Sequence, residues 1–455
     1  HPLNAEQIQE AHSPWLDALT PYVQKLCAAL PLRVNGVHPI RLSPHCRLIL
    51  VYGDVNDTMP RMDAQVDHWF LDGFTPAKNP DMWSPTLFYS MARMSHSTTH
   101  FSTFTAASMV KQGLSKEGFH VEKAKGFGQK RDMLVGHYTK GQRVECPVKP
   151  DKIAILGGGL AGLCLAHGLE EQGVEATLFR ADEIGGSASG NRTGMMNPKL
   201  SAKPTPHSDY YASAYAFALQ YYQTLQNQCD IEFQQCGSLH LQINADKERR
   251  FNGYIHNLGW HPDHIMMLDT EKASEQSGIR ISHKALFYPD AVTASPARIC
   301  AALSKGKHIT NKKIDSVSDV KDDGFSEVML ASGTGSAALL PQLGHALSST
   351  RGQVSHVRFQ APPQTNICFG GYATPADADG VSMLGATFQP WESDPSVRDE
   401  DHAQNIENWR NALGDAAALP EVIGGWTGFR SSSKDRFPVV GTYDGLRIST
   451  AHASH

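Results

Sequence analysis

Three glycines in the middle of the chain form the pattern whose spacing is most typical of a chemical role. Gly157, Gly159 and Gly162 follow a short apolar strand at 153–156 and open a predicted helix. The first glycine would permit a tight turn, the second the close approach of a pyrophosphate, and the third the packing of helix on strand. Amides at the helix N-terminus would then face the anion. The spacing predicts a dinucleotide-binding turn, and a structural glycine turn is the alternative.

One departure concerns the acidic residue that holds the ribose in such units. It is expected just after the second strand, but the strand predicted at 176–179 is followed by Arg180. Asp182 or Glu183, slightly later in the chain, would have to replace it. We assign Asp182 to the cofactor on this basis.

Small residues recur at two later positions where a nucleotide would lie. A loop contains Ser189 and Asn191, and its free amides and hydroxyls suit a second phosphate contact, with a flexible loop as the alternative. A buried strand at 328–331 ends in small residues that include Gly333, as where a sheet edge meets a bound nucleotide. We therefore assign Ser189, Asn191 and Gly333 to cofactor binding.

The order of these pieces, with Arg-Gly-Gln-Val at 351–354 and Gly-Phe-Arg at 428–430, resembles the D-amino-acid-oxidase-like family of FAD enzymes, which includes glycine and sarcosine oxidases. The resemblance implies that FAD accepts a hydride from the carbon next to an amine. It also implies that Arg430 holds a substrate carboxylate through two parallel hydrogen bonds, with a surface or structural arginine as the alternative. Tyr288 and Tyr372 are candidate pocket residues, with core or surface positions as the alternative.

Two carboxylates in the N-terminal part follow predicted strands. Asp72 ends one strand and opens the unusual run at 72–83, and Asp54 ends the preceding strand. Ligands of open α/β sheets bind at the carboxyl ends of parallel strands, so two acidic strand tips side by side would suit an amine-bearing ligand. A helix cap is the alternative for each aspartate.

The run at 72–83, together with 104–107 and 125–134, resembles the methyltransferase half of the bacterial bifunctional enzymes of tRNA 5-methylaminomethyl-2-thiouridine biosynthesis, and the resemblance covers nearly the whole chain. It implies that an FAD domain oxidises the carboxymethylaminomethyl group of a wobble uridine, and that the imine hydrolyses to an aminomethyl group. It further implies methylation of that amine from S-adenosyl-L-methionine. Asp72 would orient the neutral amine, and Asp54 would contact the adenine of the methyl donor.

Basic residues cluster around a hairpin predicted at 119–138. Lys125, Lys130 and Arg131 lie there with Lys123, and Phe127 lies between them. Phosphate contacts beside an aromatic ring would suit an extruded tRNA base. We assign Lys125, Lys130 and Arg131 to tRNA binding, with a solvated basic loop as the alternative.

The elements that would position these residues follow an α/β pattern. We predict a partial Rossmann-like methyltransferase sheet over 1–140, a linker over 141–150, and an FAD-binding Rossmann domain over 151–455. The last would carry an inserted mixed α+β substrate subdomain over about 206–420. No glycine loop precedes Asp54, and the C-terminus stops where the flavin family continues, so we expect a chain truncated at both ends.

Composition limits the remaining function classes. A net charge of −5 argues against a general basic coat, and eight cysteines without a C-x-x-C pair argue against a metal cluster. No apolar run reaches the roughly 18–20 residues that a bilayer requires, and no signal peptide opens the chain. We expect a cytoplasmic monomer without a metal ion or a membrane partner.

Two other functions stay open at this point. One is a stand-alone glycine- or sarcosine-type FAD amine oxidase with a structural N-terminal domain. The other is a tRNA- or protein-binding remnant that has lost both cofactor sites. The run at 72–83 favours the bifunctional tRNA-modifying enzyme, because an oxidase of small molecules has no need of it.

Overall fold

The computed structural model describes residues 2–43, 45–126, 128, 130–145, 148–181, 187–414 and 417–453. The chain divides into two units, of which one comprises His1–Leu50 with Lys149–His455 and the other Val51–Val148. No helix among the described residues combines the length and the apolar character that a bilayer crossing requires.

The N-terminal elements belong to the larger unit. They are α1 (Ala5–His12), α2 (Leu16–Ala28), β1 (Gly36–Ser43) and β2 (Cys46–Tyr52). β1 and β2 pair with each other in a two-stranded sheet. Val34 is buried in an apolar cluster with Leu286 and Tyr288, and Arg33 forms a salt bridge with Asp263 at 2.5 Å. The predicted domain over 1–140 is therefore divided near residue 50, because its first part packs on C-terminal residues.

The smaller unit contains a four-stranded sheet. Its elements are α3 (Val55–Thr58), β3 (Val66–Leu71), α4 (Pro85–Arg93), β4 (Ser95–Thr103), α5 (Ser108–Lys116), β5 (Phe119–Lys125) and β6 (Asp132–Tyr138). The strand order is β3-β4-β6-β5, with β3 and β4 parallel and the other pairs antiparallel. Phe88, Met91, Val110, Leu114 and Leu134 form its core. The α/β pattern and the hairpin predicted at 119–138 are confirmed for this unit.

The larger unit continues with helices and strands of very different length. The first half contains β7 (Ile153–Leu156), α6 (Leu160–Glu170), β8 (Ala176–Arg180), β9 (Gly194–Met196), α7 (Pro206–Gln228), β10 (Gln234–Gln235), β11 (Ser238–Leu241), α8 (Ala245–Asn257), β12 (Met266–Leu268), α9 (Thr270–Ser277), β13 (Ala285–Tyr288), β14 (Val292–Ala294) and α10 (Pro296–Ser304). The second half contains β15 (His308–Asn311), α11 (Val317–Asp322), β16 (Glu327–Leu330), α12 (Ser336–Leu339), β17 (Leu347–Arg358), β18 (Asn366–Cys368), β19 (Tyr372–Ala373), β20 (Ser382–Gly385), β21 (Gln389–Pro390), α13 (Asp399–Leu413), β22 (Glu421–Ser433), β23 (Val439–Tyr443) and β24 (Leu446–Thr450).

A six-stranded sheet carries the glycine turn. Its order is β15-β8-β7-β16-β24-β23, and all neighbours are parallel except β24 and β23. Every residue of β7 is buried, as expected for a central parallel strand that is covered on both faces. This arrangement is the Rossmann-like sheet that the sequence predicts.

A nine-stranded sheet forms the other half of the unit. Its order is β12-β13-β11-β18-β19-β20-β17-β21, and β22 pairs with β17 along nearly the whole length of both strands. β9, β10 and β14 form a separate three-stranded sheet. Because β15 and β16 return to the Rossmann-like sheet, the insertion predicted over 206–420 is not one segment. It consists of two stretches that surround those strands.

Candidate functional site

The glycine turn leaves no room for side chains. Gly157 has φ +132°, and a Cβ atom there would lie 2.3 Å from the carbonyl oxygen of Ala331. A Cβ at Gly162 would lie 1.9 Å from the carbonyl oxygen of Gly157, so helix and strand meet through glycine alone. A Cβ at Gly159 would approach the Ser189 hydroxyl to 3.0 Å. The turn therefore has the close packing that a backbone phosphate cradle requires.

A cavity of about 1580 Å³ lies against this turn and is lined by Gly157, Gly159, Ser189, Asn191 and Gly333. The amide of Asn191 donates to the Thr193 carbonyl at 2.9 Å. Its Oδ1 is buried and has no partner among the described residues, which leaves an acceptor free for a ligand. The cavity thus brings together most of the residues that were assigned to the cofactor.

The predicted acidic ligand of the ribose falls in a part of the chain that the structure does not describe. Asp182 and Glu183 lie outside the described residues. Arg180 lines the cavity and donates from Nε to the side-chain oxygen of Asn311 at 2.6 Å. The assignment of Asp182 to the cofactor therefore stays a prediction.

Arg430 lines the same cavity from strand β22. Its Nη2 donates to the backbone carbonyl of Thr387 at 3.1 Å, and it forms no salt bridge within the described part of the chain. Burial lowers the pKa of Arg430, while the nearby Tyr372 acts in the opposite direction. An arginine stays charged even so, and a guanidinium without an ionic partner in a cavity is suited to a ligand carboxylate.

Gly352, on the facing strand β17, makes room for this guanidinium. A Cβ at Gly352 would lie 2.2 Å from Nη2 of Arg430. The Arg-Gly-Gln-Val and Gly-x-Arg patterns thus form one structural feature, because Gly352 of the first leaves the space that the Arg430 guanidinium of the second occupies.

The two aspartates of the smaller unit lie in different settings. Asp72 directly follows β3, is exposed, and forms no hydrogen bond or salt bridge in the described residues. Asp54 accepts a hydrogen bond from the backbone N–H of Asn56 at 2.8 Å and caps α3. Asn56 in turn donates to the Asp81 carbonyl at 3.0 Å and contacts the hydroxyl of Ser84.

The prediction that Asp54 and Asp72 lie at the ends of neighbouring strands of one sheet is wrong. β2, which precedes Asp54, pairs with β1 and is not part of the four-stranded sheet that contains β3. The physical reason is that β1 packs with α7 in the larger unit and takes β2 as its partner. Asp54 is connected to the segment after Asp72 by Asn56, whose side-chain amide donates to the Asp81 carbonyl, and not by strand pairing.

The basic cluster lies at the end of the β5–β6 hairpin. Lys125 ends β5, and Lys130 places its Nζ 5.4 Å from the ring centroid of Phe104. The side chain of Arg131 is 95% exposed, and its Nε lies 3.9 Å from a carboxylate oxygen of Asp132. Phe127 lies outside the described residues. The tRNA role of Lys125, Lys130 and Arg131 stays a prediction.

Comparison with known proteins identifies both parts of the chain. Residues 17–139 match a family described as S-adenosyl-L-methionine-dependent methyltransferase, and residues 152–455 match the FAD dependent oxidoreductase family. A tRNA 5-methylaminomethyl-2-thiouridine biosynthesis bifunctional protein MnmC from Chromohalobacter salexigens is 34% identical over 97% of this chain and 68% of its own length. The MnmC protein of Idiomarina loihiensis is 34% identical over 100% of this chain and 78% of its own length.

This chain belongs to the MnmC family. Membership confirms the predicted order of a methyltransferase and an FAD-dependent oxidoreductase, and with it the cofactors S-adenosyl-L-methionine and FAD. It also confirms the predicted bifunctional enzyme.

Solved structures show where the fold of the larger unit recurs. Glycine oxidase from Geobacillus kaustophilus superposes with a TM-score of 0.58 at 20% identity, over 68% of this chain and 90% of its own. Glycine oxidase from Bacillus cereus gives a TM-score of 0.57 at 20% identity, over 67% and 92%. At this identity the likeness confirms the fold class and carries no statement about substrate.

Two features of this MnmC-family chain escaped sequence reasoning. The first is a buried ionic network around Arg351, which is fully buried and forms a salt bridge with Asp401 at 2.6 Å. Arg351 also donates to the carbonyl oxygens of Asp394 at 2.7 Å and Ser396 at 2.6 Å, and to the side chain of Gln389 at 2.5 Å. The network ties β17 to the segment that follows β20.

The second is a basic stretch of the cavity wall. Lys247 and Arg250 lie three residues apart on α8 and both line the cavity. Neither forms a salt bridge in the described part of the chain, and burial lowers the pKa of Lys247. Tyr288 and Tyr372 line the same cavity, and burial raises the pKa of each phenol. A helical i,i+3 pattern of cations was visible in the sequence, but nothing local connected it to the glycine turn.

The residues present fit FAD in the larger unit. The glycine turn, the free acceptor of Asn191 and the long cavity would hold the dinucleotide, and Arg430 would hold a substrate carboxylate in the same space. In the smaller unit, Asp54 and Asp72 are candidate ligands for the methyl donor and the amine. The roles of these individual residues stay predictions.

Proposed function

We propose that this chain modifies the wobble uridine of tRNA in two steps. The FAD unit would remove the carboxymethyl group from a carboxymethylaminomethyl(thio)uridine, and the methyltransferase unit would then methylate the exposed aminomethyl group. Arg430 supports the first step, because it lines the cavity and its one hydrogen bond among the described residues is to a backbone carbonyl. The substrate arm is chemically an N-substituted glycine, whose carboxylate such a guanidinium can hold.

The first step balances without an acid or base from the chain. With its carboxylate on Arg430, the substrate presents the methylene between nitrogen and carboxylate. FAD held in this cavity would supply the acceptor for a hydride from this carbon. The nitrogen loses its proton as the C–N bond becomes a C=N bond, and water then adds and cleaves the imine. The products are glyoxylate and the primary aminomethyl group.

The second step needs a neutral amine in a fixed orientation. Asp72 follows β3, is exposed and has no partner in the described residues, so its carboxylate would accept a hydrogen bond from the attacking amine. S-Adenosyl-L-methionine would supply the methyl group: its S–CH3 bond would break as the N–CH3 bond forms, the thioether would leave with the electron pair, and the nitrogen would release a proton to solvent. Asp54, whose second carboxylate oxygen forms no hydrogen bond within the described ranges, is the proposed contact to adenine.

Two clusters of cations favour a polyanionic substrate over a free amino acid. Lys247 and Arg250 line the cavity without a salt bridge in the described residues, whereas a free glycine would need only the single cation Arg430. Lys125, Lys130 and Arg131 are the proposed tRNA contacts of the smaller unit. We further propose a cytoplasmic monomer, with a linker over 141–150 and an oxidoreductase part over 151–455. The methyltransferase part proposed over 1–140 then has its first 50 residues packed in the larger unit.

The experiment is incubation of the protein with tRNA that carries carboxymethylaminomethyluridine, followed by mass spectrometry of the nucleosides. We expect the carboxymethyl mass to be lost without S-adenosyl-L-methionine and a methyl mass to be gained when it is added. Oxidation of free glycine or sarcosine with the tRNA left unchanged would instead support the stand-alone amine oxidase.

A further inference from the structure

Phe388 is an apolar side chain that the fold holds out of the core at the cavity. Its ring lines the cavity and the residue is 68% exposed, although the preceding Thr387 is only 1% exposed. The hydroxyl of Thr387 accepts from the backbone N–H of Gln353 at 3.0 Å. Gln389, on the other side, is bonded through its side chain to Arg351 and Asp401. The residues that flank Phe388 are therefore anchored, and its exposure is imposed by the backbone.

The ring lies beside the proposed carboxylate site. The guanidinium carbon of Arg430 is 5.9 Å from the centroid of the Phe388 ring, and the guanidinium also bonds to the carbonyl of Thr387. A ligand whose carboxylate is held by Arg430 would thus extend its other end along or past this ring. In the proposed substrate, a methylene, an amine and a second methylene join the carboxylate to a flat pyrimidine.

We propose that Phe388 is the stacking platform for the pyrimidine base whose side arm Arg430 holds. This inference rests on the proposed function and names the part of the same site that would recognise the nucleotide. A planar base is the ligand class that an exposed phenyl ring binds well, because every base has a π-face to stack on aromatic side chains. Enzymes that act on one base of a nucleic acid commonly hold that base between aromatic or apolar side chains.

The neighbouring Trp391 supplies a matched control. It is 73% exposed and belongs to the same segment, but it does not line the cavity, and its backbone N–H donates to the Ser349 carbonyl at 3.1 Å. A general effect of removing an exposed aromatic ring from this segment would appear in both Phe388→Ala and Trp391→Ala. A stacking role would appear in the first variant alone.

The test measures KM and kcat for tRNA carrying carboxymethylaminomethyluridine and for free N-methylglycine. We expect Phe388→Ala to raise KM for the tRNA about 10- to 100-fold, the range of one base–aromatic stack. KM for N-methylglycine should rise at most about fivefold, the worth of one exposed cation–π contact with Arg430. Phe388→Tyr should restore the wild-type KM for the tRNA. Trp391→Ala should leave the KM values for both substrates unchanged.

Three results would overturn the proposal. Equal rises in KM for both substrates in Phe388→Ala would show that the ring acts only through its contact with Arg430. An unchanged KM for tRNA in Phe388→Ala would show that no base stacks there, while the proposed function stands. A wild-type protein that oxidises N-methylglycine but never the tRNA would overturn the proposed function first, and the stacking proposal with it.

Discussion

The two candidate sites of this chain differ in how the fold builds them. In the larger unit, strands β7, β16, β17 and β22 bring a glycine turn and an arginine to one cavity, and a buried ion pair holds β17 to α13. In the smaller unit, the carboxylate of Asp72 and the side chain of Arg131 are exposed. The first site is therefore specified by packing, and the second by a few side chains at the ends of helices and strands. Substitutions should therefore act differently in the two.

Loss of Arg430 should give the largest effect and should separate the two activities. Arg430→Ala removes two charge-assisted hydrogen bonds to the carboxylate, each worth about 1.5–3 kcal/mol, and should lower kcat/KM for N-methylglycine about 10²- to 10⁴-fold. Arg430→Lys should recover only part of this, because lysine lacks the planar fork. The measurement is steady-state oxidation of N-methylglycine.

The control for this variant is methyl transfer to tRNA that already bears the aminomethyl group, which Arg430→Ala should perform at the wild-type rate. A parallel loss of methyl transfer would contradict the assignment of Arg430 to the oxidative site. It would also remove the distinction between the two sites.

The ion pairs of the two units should differ in how much they contribute to the free energy of unfolding. Asp401→Asn breaks the buried pair with Arg351 and leaves an uncompensated charge, so the free energy of unfolding should fall by about 3–5 kcal/mol. Asp132→Asn removes a partner of Lys123 and Arg131 that lies 4.0 Å and 3.9 Å away at the surface, and should cost less than about 1 kcal/mol. Urea denaturation followed by circular dichroism measures both, and equal losses would contradict the contrast.

Asp72 should matter for methyl transfer alone. Asp72→Asn keeps the size of the side chain but weakens the hydrogen-bond acceptor that orients the amine, so methyl transfer should fall about 10²-fold, the low end for a positioned acid–base group. Removal of the carboxymethyl group should continue at the wild-type rate. Nucleosides analysed by mass spectrometry should then show that aminomethyluridine accumulates. Accumulation of the fully methylated product in this variant would argue against the role.

The same contrast explains which features could be predicted from sequence. Gly157, Gly159 and Gly162 lie within six residues, so their spacing alone defines the turn, and the structure places them as the pattern predicts. The exposed end of β3 at Asp72 was predictable for the same local reason. The partner of β2 was not, because it depends on the packing of β1 with α7.

Features of the cavity that depend on distant segments were also out of reach. Gly352 and Arg430 are far apart in sequence, and only the β17–β22 pairing shows that one clears space for the other. Lys247 reaches the cavity from a helix that no motif connects to the glycine turn. Within the insertion predicted over about 206–420, the return of β15 and β16 to the Rossmann-like sheet was not predictable either, because strand order in a sheet does not follow chain order.

The smallest effect expected concerns Lys247 and Arg250, and it tests whether the larger unit also holds a polyanion. If each neutralises one phosphate, the double variant Lys247→Ala/Arg250→Ala should reduce the slope of log affinity for tRNA against log salt by about 2. Because burial lowers the pKa of Lys247, tRNA affinity should begin to fall at a lower pH than an ordinary lysine gives, and Lys247→Arg should move this fall upward. Fluorescence titrations of labelled tRNA at several salt concentrations and pH values measure both effects. An unchanged salt slope would show that Lys247 and Arg250 neutralise no phosphate. The phosphates of the tRNA would then be bound by residues outside this cavity.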